Sequence, residues 1–287
     1  MNLITGAHGF LGRHLTPLVD NAIVPTRGAC NLLNADDCMV ITQDIDTVYH
    51  LAADVGGIEY LRDKPAEILY RNTMMGLNLL EASRLNGVKR FIMAGSVCEY
   101  PKGMYMRETN INLGLPIVET EGYGLAKRFL NNAGRLYDRQ YQMRVLHVIF
   151  TNLYGPTDGT SHVVAQLVRK FCEAKREGND IVEVWGDGTA TRDLLYVSDA
   201  SRMLKEASER YYGDAINLAT GVETTIRELA FTIAWACDYT GKIKFGGGPV
   251  GEKRRDIDVT RMLSCDIRPE VELEEGIKKT VEWYQND

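Results

Sequence analysis

The sequence lacks the features that would tie it to a membrane or to nucleic acid. No apolar run approaches the roughly 18 residues of a membrane-spanning helix. Basic residues are not in excess, since 33 Lys and Arg against 39 Asp and Glu give a formal net charge of −6, and this balance argues against nucleic-acid binding. No secretory signal is expected, because Met1-Asn-Leu-Ile4 leads directly into a glycine-rich segment. These absences predict a cytoplasmic protein.

Cysteine and histidine are few and scattered. The 6 cysteines show no CxxC and no regular spacing, and the 5 histidines do not cluster. This pattern favours reduced thiols and no structural metal. A length of 287 residues with 45% hydrophobic and 25% charged residues is ordinary for a globular protein with a full core.

Short apolar runs alternate with amphipathic segments along the first half of the chain. The predicted strands are residues 2–5, 22–25, 47–52, 90–94 and 144–150. The predicted helices between them include residues 10–19, 65–86 and 122–141. This alternation predicts right-handed βαβ units and an α/β fold with a doubly wound parallel sheet.

After residue 156 the regular alternation of predicted strands and helices ends, which indicates a second and smaller lobe. The pattern predicts a helix over 162–177 and a strand over 181–185, while 216–218 reads as one more strand of the first sheet. We therefore expect residues 1–150 and 190–220 to form a dinucleotide-binding domain. Residues 151–189 and 221–287 are expected to form the other lobe.

A glycine motif follows the first strand and opens the first helix. Gly6, Gly9 and Gly12 occur at the spacing that allows a tight turn and a close backbone approach to a pyrophosphate. The helix N-terminus adds amide donors and a favourable dipole. The motif predicts a dinucleotide site, which also includes the loop residues His8, Phe10 and Leu11.

The end of the second predicted strand decides between the two nicotinamide cofactors. An NAD enzyme usually places Asp or Glu there, whereas this chain has Thr26 and Arg27. Arg27 suits a 2′-phosphate, so NADP(H) is predicted, although a solvated loop charge is the alternative. Further candidates, proposed from their positions in the chain, for the adenine and ribose contacts are Asn31, Leu32, Leu51, Ala52, Ala53 and Asn72.

Tyr123 and Lys127 are four residues apart in a predicted helix, which places them on one helical face. An ammonium beside a phenol favours the phenolate and is expected to lower the phenol pKa from about 10. The pattern is common by chance, but the glycine motif and Ser96 give it weight here.

With these residues assembled, the chain resembles the extended short-chain dehydrogenase/reductases that act as NAD-dependent nucleotide-sugar epimerases and dehydratases. Within that family it is most similar to the GDP-L-fucose synthase branch. The segments that carry the resemblance are 52–58 (AADVGGI), 95–101 (GSVCEYP), 123–127 (YGLAK), 151–156 (TNLYGP), 161–163 (SHV), 184–189 (VWGDGT) and 258–261 (DVTR).

The resemblance implies a Rossmann-type fold with a smaller α/β lobe that binds a nucleotide sugar, and the branch it resembles acts on GDP-linked sugars. It implies an NADPH-dependent 3,5-epimerase/4-reductase. It also implies a homodimer that pairs the helices over 65–86 and 122–141.

The resemblance further implies roles for individual residues. Tyr123 donates a proton to the ketone, Lys127 tunes it and holds the nicotinamide ribose, and Ser96 bonds the carbonyl oxygen. Cys98 and His162 form an acid/base pair that inverts carbons beside the ketone, with the choice of base left open. The substrate contacts implied are Asn152, Val163, Lys170, Trp185, Arg192 and Arg254.

Several alternatives stay open. Cys98 could instead be a small buried apolar residue of the core. His162 could instead be an N-terminal helix residue beside a Ser161 cap. A redox-neutral epimerase, a 4-keto-reductase without inversion, and a non-catalytic cofactor-sensing regulator are the competing functions. Dehydration is disfavoured, because Val97 and Cys98 stand where the family's dehydratases carry Asp-Glu.

Overall fold

A parallel sheet organises the chain in this computed structural model, which describes residues 1–156, 162–211, 213–247 and 256–286. The strands are β1 (Asn2–Thr5), β2 (Ala22–Ile23), β3 (Thr47–His50), β4 (Arg90–Ser96), β5 (Arg144–Phe150), β6 (Asn152–Tyr154), β7 (Ile181–Val184), β8 (Thr191–Arg192), β9 (Leu194–Tyr196), β10 (Ala215–Leu218), β11 (Thr224–Thr225) and β12 (Lys242–Phe245). Six of these strands pair in parallel in the order β2-β1-β3-β4-β5-β10.

The described residues form ten α-helices. They are α1 (Phe10–Leu15), α2 (Ala35–Ile41), α3 (Ile58–Asp63), α4 (Pro65–Leu85), α5 (Glu121–Tyr141), α6 (Val163–Glu177), α7 (Val197–Arg210), α8 (Ile226–Ala236), α9 (Thr260–Ser264) and α10 (Leu273–Asn286). One apolar core joins the sheet to α1 and α7, and another joins it to α2, α4 and α5. The doubly wound α/β fold predicted from the sequence is confirmed.

Within the described part of the chain, every helix is too short or too polar to cross a bilayer. The cytoplasmic location expected from the composition stays a prediction.

Three elements end earlier than their apolar patterns suggest. β2 stops at Ile23, because the chain turns over the next residues, where Ala29 N–H donates to the Thr26 carbonyl. β3 stops at His50, where the chain leaves the sheet to line the glycine loop. α1 stops at Leu15 and continues as a 3-10 turn over Thr16–Leu18, since Pro17 has no N–H for a further helical bond.

A separate apolar core lies in the second half of the chain. It packs α6, α8 and α10 around β7, with Phe171, Ile233 and Ile277 fully buried. Leu194 and Tyr196 also belong to this core, although they fall in the range 190–220 that was assigned to the first lobe. The residue ranges of the two domains stay a prediction.

The strand order reverses between β1 and β3, which lie side by side although α1, β2 and α2 separate them in the chain. In an open parallel sheet this reversal leaves a crevice outside the carboxyl ends of the strands, where ligands bind. The glycine loop follows β1, and Leu51 follows β3. Ser96 is the last residue of β4, so the fold brings these segments to one edge of the sheet.

Candidate active site

One large cavity, of about 2140 Å³, opens at this edge of the sheet and extends to the second core. It exceeds the 300–1,000 Å³ that is usual for a single small ligand, so it has room for a dinucleotide beside a nucleotide sugar. The sequence-predicted residues that line it are Gly6, His8, Gly9, Phe10, Leu11, Arg27, Asn31, Leu32, Leu51, Ala52, Ala53, Ser96, Cys98, Tyr123, Lys127, Asn152, His162, Val163, Lys170, Trp185 and Arg192.

The glycine loop presents bare backbone to the cavity. Gly6 has a φ of +73°, and a Cβ there would lie 2.6 Å from the backbone nitrogen of Ala52. The N–H of Gly9 donates to the Gly6 carbonyl at 3.0 Å and closes the turn. Gly12 is buried behind the loop, where a Cβ would collide with the Gly6 carbonyl. Because the glycines have no side chains, the backbone of the loop is open to the cavity and a cofactor pyrophosphate can approach it closely.

The far end of this half of the cavity is lined by the segment 25–33, which carries Arg27 and no carboxylate. Arg27 is exposed there, whereas Leu32 is buried. The side chains present therefore suit an anionic group, and nothing in this segment repels one.

Asn72 is the one described cofactor candidate, apart from Gly12, that the structure does not bring to the cavity. Its side chain is 2% exposed. Its Oδ1 accepts from the N–H of Asp54 at 2.9 Å, and its Nδ2 donates to the carbonyls of Asp54 and Ile68. Asn72 therefore holds the loop over 52–58 in place, because the amide is used on backbone groups.

A tight turn follows β4 and carries two of the predicted catalytic residues. Ser96 caps the 3-10 turn Val97–Glu99, and its Oγ accepts from the N–H of Cys98 at 3.2 Å. In return the N–H of Ser96 donates to Oε1 of Glu99 at 2.8 Å. This reciprocal capping fixes the turn, and Cys98 is left partly exposed on the cavity wall.

Helix α5 brings Tyr123 and Lys127 to the same turn. The helix approaches so closely that a Cβ at Gly124 would collide with the Cys98 carbonyl. Lys127 is 2% exposed, and its Nζ lies 5.7 Å from the centroid of the Tyr123 ring. The lysine, the phenol and the turn therefore share one wall of the cavity.

The expectation that Lys127 lowers the phenol pKa is wrong for this structure. Burial raises the pKa of Tyr123 above its ordinary value, and the nearby Cys98 and Glu99 raise it further. Burial also lowers the pKa of Lys127 to about 8, while Glu99 acts in the opposite direction. Both groups lose water, and desolvation disfavours their charged forms. Tyr123 is therefore a protonated phenol at neutral pH, the form that a proton donor needs.

His162 reaches the cavity from the second half of the chain. It immediately precedes α6, its side chain is exposed, and that helix has no side-chain cap bond from it. The predicted Ser161 cap lies outside the described residues, as does Arg254. The structure thus brings His162 to the cavity that Cys98 lines.

The wall near the second core combines an aromatic ring with a cation. Lys170 Nζ donates to the Glu183 carbonyl at 3.1 Å and lies 5.1 Å from the centroid of the Trp185 ring. Trp185 itself is 56% exposed. A flat exposed ring beside an ammonium suits a nucleotide base and its phosphates.

Asn152 and Arg192 line the cavity between these two regions. Asn152 Nδ2 donates to the Asp193 carbonyl at 3.1 Å, and an Arg192 guanidinium nitrogen donates to the Thr191 carbonyl at 2.6 Å. These bonds fix where the two side chains stand.

Sequence reasoning missed two pairs of ionisable side chains. Asp54 and Arg71 both line the cavity and form an ion pair at 2.7 Å. Glu99 and His147 are buried behind the β4 turn. The acidic members lie in the segments 52–58 and 95–101, which were already singled out, but their partners come from distant elements. Among the described residues there is no group of three His, Cys, Asp or Glu side chains suited to a metal ion.

The chain belongs to the NAD dependent epimerase/dehydratase family, whose model matches residues 2–219. The GDP-L-fucose synthase of Escherichia coli (strain K12) is 34% identical, with 98% of this chain and 95% of that protein aligned. GDP-mannose 3,5-epimerase 1 of Oryza sativa subsp. indica is 27% identical, with 98% and 81% aligned. A solved GDP-L-fucose synthetase from Naegleria fowleri bound to NADP superimposes with a TM-score of 0.88 at 27% identity, over 99% of this chain and 92% of that one. The family and the fold predicted from the sequence are confirmed.

Proposed function

We propose that this protein is an NADPH-dependent 3,5-epimerase and 4-reductase of a GDP-linked 4-keto-6-deoxyhexose. One observation carries the proposal: Ser96, Cys98, Tyr123, Lys127 and His162 all line a single cavity into which the bare glycine loop also opens. The names of the relatives in Escherichia coli, rice and Naegleria support a GDP-linked sugar.

The cofactor half of the cavity fits NADP(H). Gly6 and Gly9 leave room for the pyrophosphate, and Arg27 supplies a cation for the 2′-phosphate. The Naegleria relative binds NADP. When bound, NADPH supplies the hydride for ketone reduction. Lys127 lies deep enough in the wall to hold the nicotinamide ribose through its ammonium.

The proton in ketone reduction comes from Tyr123. The phenol is protonated at neutral pH, since its ordinary pKa is about 10 and burial raises it further, so it donates to the oxygen that becomes the hydroxyl. Ser96, whose position is fixed by the capped turn, donates a second hydrogen bond to that oxygen.

The inversions are assigned to Cys98 and His162. Inverting a carbon beside a ketone requires that a proton leave one face and a proton arrive at the other. The two side chains belong to the turn after β4 and to the start of α6, so they approach the sugar from different segments of the cavity wall. Ser96 and Tyr123 stabilise the negative charge that develops on the carbonyl oxygen.

The nucleotide end of the substrate is assigned to the wall near the second core. Trp185 and Val163 contact the base, while Lys170 and Arg192 supply positive charge for the diphosphate. Asn152 supports the sugar between the two halves. Arg254, which the sequence also nominated, lies outside the described residues.

Incubation with GDP-4-keto-6-deoxymannose tests this function. We expect one NADPH to be oxidised per sugar reduced, with GDP-L-fucose identified by NMR, and a slower reaction when NADH replaces NADPH. A sugar that is epimerised without net cofactor consumption would instead favour the redox-neutral epimerase. Tight cofactor binding with no turnover on any 4-keto sugar would favour the sensing regulator.

Cys98→Ser is expected to separate inversion from reduction. A serine hydroxyl is a much weaker acid than a thiol, so solvent-deuterium incorporation beside the ketone should fall by about 10²-fold, in the range of general acid–base contributions. Reduction of a sugar that is already epimerised should be nearly unchanged, because Tyr123 and Ser96 are retained. Mass spectrometry of the product in D₂O and NADPH oxidation measure the two steps.

Cys265→Ser is the matched control, since Cys265 is also partly exposed but lies outside the cavity lining. It should leave both steps unchanged. Equal losses of deuterium incorporation and reduction in Cys98→Ser would remove Cys98 from the inversion.

The protein is also proposed to be a homodimer through α4 and α5. These helices lie side by side on one face of the sheet and leave large apolar side chains exposed, among them Tyr70, Phe129 and Leu136. Phe129 and Leu136 are seven residues apart, hence on one helical face. Light scattering should give twice the chain mass of 32.2 kDa. Phe129→Glu should shift that mass toward one chain, and a monomeric wild type would contradict the proposal.

A further inference from the structure

A carboxylate and an imidazole are buried together behind the turn that carries Ser96 and Cys98. Glu99 is 0% exposed and His147, on β5, is 1% exposed. Nε2 of His147 lies 2.9 Å from both carboxylate oxygens of Glu99. Burying ionisable groups is costly unless each finds a partner, so their placement at the reaction centre points to a role in it.

The pair is joined directly to the turn. Oε1 of Glu99 accepts the N–H of Ser96 at 2.8 Å, and the Glu99 carbonyl accepts from the buried guanidinium of Arg128 on α5. Gly95 is a glycine because a Cβ there would collide with both His147 Nε2 and Glu99 Oε1. The backbone on either side of Ser96 is therefore built around this carboxylate.

Capping alone does not explain the burial. The chain uses the same reciprocal capping at the start of α8, where Thr225 and Glu228 satisfy each other. There the glutamate is exposed and no histidine accompanies it. The turn after β4 therefore differs from the start of α8 in one respect besides capping: its carboxylate is buried.

Glu99 has a bonding pattern that suits a carboxylate. Its oxygens face the Ser96 N–H and the His147 Nε2, and with the His147 proton on Nε2 an acceptor-only carboxylate satisfies both donors. Arg128 is the other cation that faces it, through the Glu99 carbonyl.

Lys127 is buried on α5 beside Arg128, whose guanidinium donates to the Glu99 carbonyl, so the turn with Glu99 packs against the part of the helix that carries this ammonium. Glu99 raises the pKa of Lys127, against the effect of burial. Titratable groups near this lysine include Tyr123 on the same helix, on which Cys98 acts from the turn, and His50 on β3. Burial lowers the pKa of His50 to about 3, so it is neutral. Among the described residues, Glu99 is the acidic side chain that acts on the Lys127 ammonium.

We propose that Glu99 is a positioning residue for the reaction: held by His147, its carboxylate fixes the Ser96–Cys98 turn and balances the buried ammonium of Lys127. This inference rests on the proposed roles of Ser96, Cys98 and Lys127. Glu99 itself does not touch the reacting atoms, and it acts through these three side chains.

Glu99→Gln tests the charge while keeping the shape. The amide oxygen still accepts from Ser96 N–H, and the amide NH₂ donates to His147 in its other tautomer. The readout is the titration of Lys127 in the free enzyme, followed by ¹³Cε-lysine NMR and assigned with Lys127→Met. Without the carboxylate, the ammonium should lose its proton at a pH about one unit lower. The alkaline limb of kcat for ketone reduction should shift in the same direction.

Glu108→Gln is the matched control, because Glu108 is also a buried carboxylate that accepts a backbone N–H, from Asn217 at 3.0 Å. It should lower stability without moving the Lys127 titration. A second variant, Glu99→Asp, keeps the charge but shortens the reach to Ser96, so it should lower kcat while the Lys127 titration stays near that of the wild type.

The outcomes separate the two proposals. An unchanged Lys127 titration in Glu99→Gln, or an equal shift in Glu108→Gln, overturns the role of Glu99. A lowered Lys127 pKa in Glu99→Asp does so as well, because the charge is retained there. If the Lys127 titration shifts as expected but the wild type oxidises no NADPH, the electrostatic role of Glu99 stands and the proposed function fails.

Discussion

Replacing Tyr123 by phenylalanine is expected to lower kcat for reduction of the 4-keto sugar by about 10²–10⁴-fold, the usual contribution of a positioned general acid. The phenol is the protonated group that faces the cavity beside Ser96 and Lys127. Phenylalanine keeps the ring and removes only the proton donor. NADPH binding, followed by fluorescence titration, should change by less than about threefold, since the variant leaves the ribose contact proposed for Lys127 intact.

The pH dependence of the wild type follows from the same two groups. Because burial raises the pKa of Tyr123, the phenol keeps its proton as the pH rises through neutrality. Lys127 has a pKa of about 8, lowered by burial, so its charge is present below this value and is lost above it. The rate of ketone reduction should therefore fall as the pH rises above about 8, with the lysine rather than the tyrosine as the cause.

Tyr137→Phe is the control for Tyr123→Phe. Tyr137 lies on the same helix, its hydroxyl donates to Glu81 Oε2 at 2.9 Å, and it does not line the cavity. Its loss should leave kcat within about twofold of the wild type, as for a partly exposed hydrogen bond away from the site. A Tyr123→Phe enzyme that kept more than a tenth of the wild-type kcat would show that another group donates the proton.

Much of the fold could be predicted from the sequence because its strands and helices have strong local patterns of apolar residues. β1 and β5 have the predicted limits, and α4 begins at Pro65, which fits the first turn of a helix. The limits of β2 and β3 were not readable, since both strands end where the chain turns toward the cavity. An apolar residue after a strand looks the same in the sequence whether it pairs in the sheet or lines a ligand site.

Residues of the candidate site could be predicted from the sequence where they lie only a few positions apart in a known motif. The glycine loop and the Tyr123/Lys127 pair are of this kind, and both line the cavity. Asn72 was misplaced because its amide partners, the backbone groups of Asp54 and Ile68, are set by the packing of α4. A spacing of four on a helix shows that two side chains are neighbours, but it does not show how much water they lose.

No local sequence pattern indicates the buried pair behind the turn that follows β4. Glu99 and His147 are 48 residues apart, and each looks unremarkable within its own segment. Only the parallel pairing of β4 with β5, in which Met93 stands opposite His147, brings the imidazole beneath the turn. Residues of this kind are found once strand register is known, because register decides which side chains share one face.

Gly12→Ala is expected to destabilise the fold and weaken cofactor binding together. A Cβ at Gly12 would collide with the Gly6 carbonyl and would lie 2.6 Å from Ala7 Cα and 2.8 Å from Ala7 C. All three are backbone atoms, so no flexible side chain can move aside. The free energy of unfolding should fall by about 3 kcal/mol, at the upper end for overpacking. The Kd for NADPH should rise at least about tenfold, equivalent to 1.4 kcal/mol, because α1 must shift and take the glycine loop with it.

Gly28→Ala provides the comparison, since a Cβ at Gly28 meets nothing within 4 Å. It should leave stability within about 1 kcal/mol of the wild type and should not weaken NADPH binding, because removing a glycine from an unstrained site mainly restricts the unfolded chain. Denaturant unfolding and fluorescence titration measure both quantities in each variant. If Gly12→Ala kept wild-type stability and affinity, α1 would have to stand farther from the loop than it does here. If Gly12→Ala lost stability but kept its affinity for NADPH, the packing of α1 would be independent of the cofactor site. Loss of both stability and affinity would show that the contact of Gly12 with the glycine loop supports the fold and the cofactor site together.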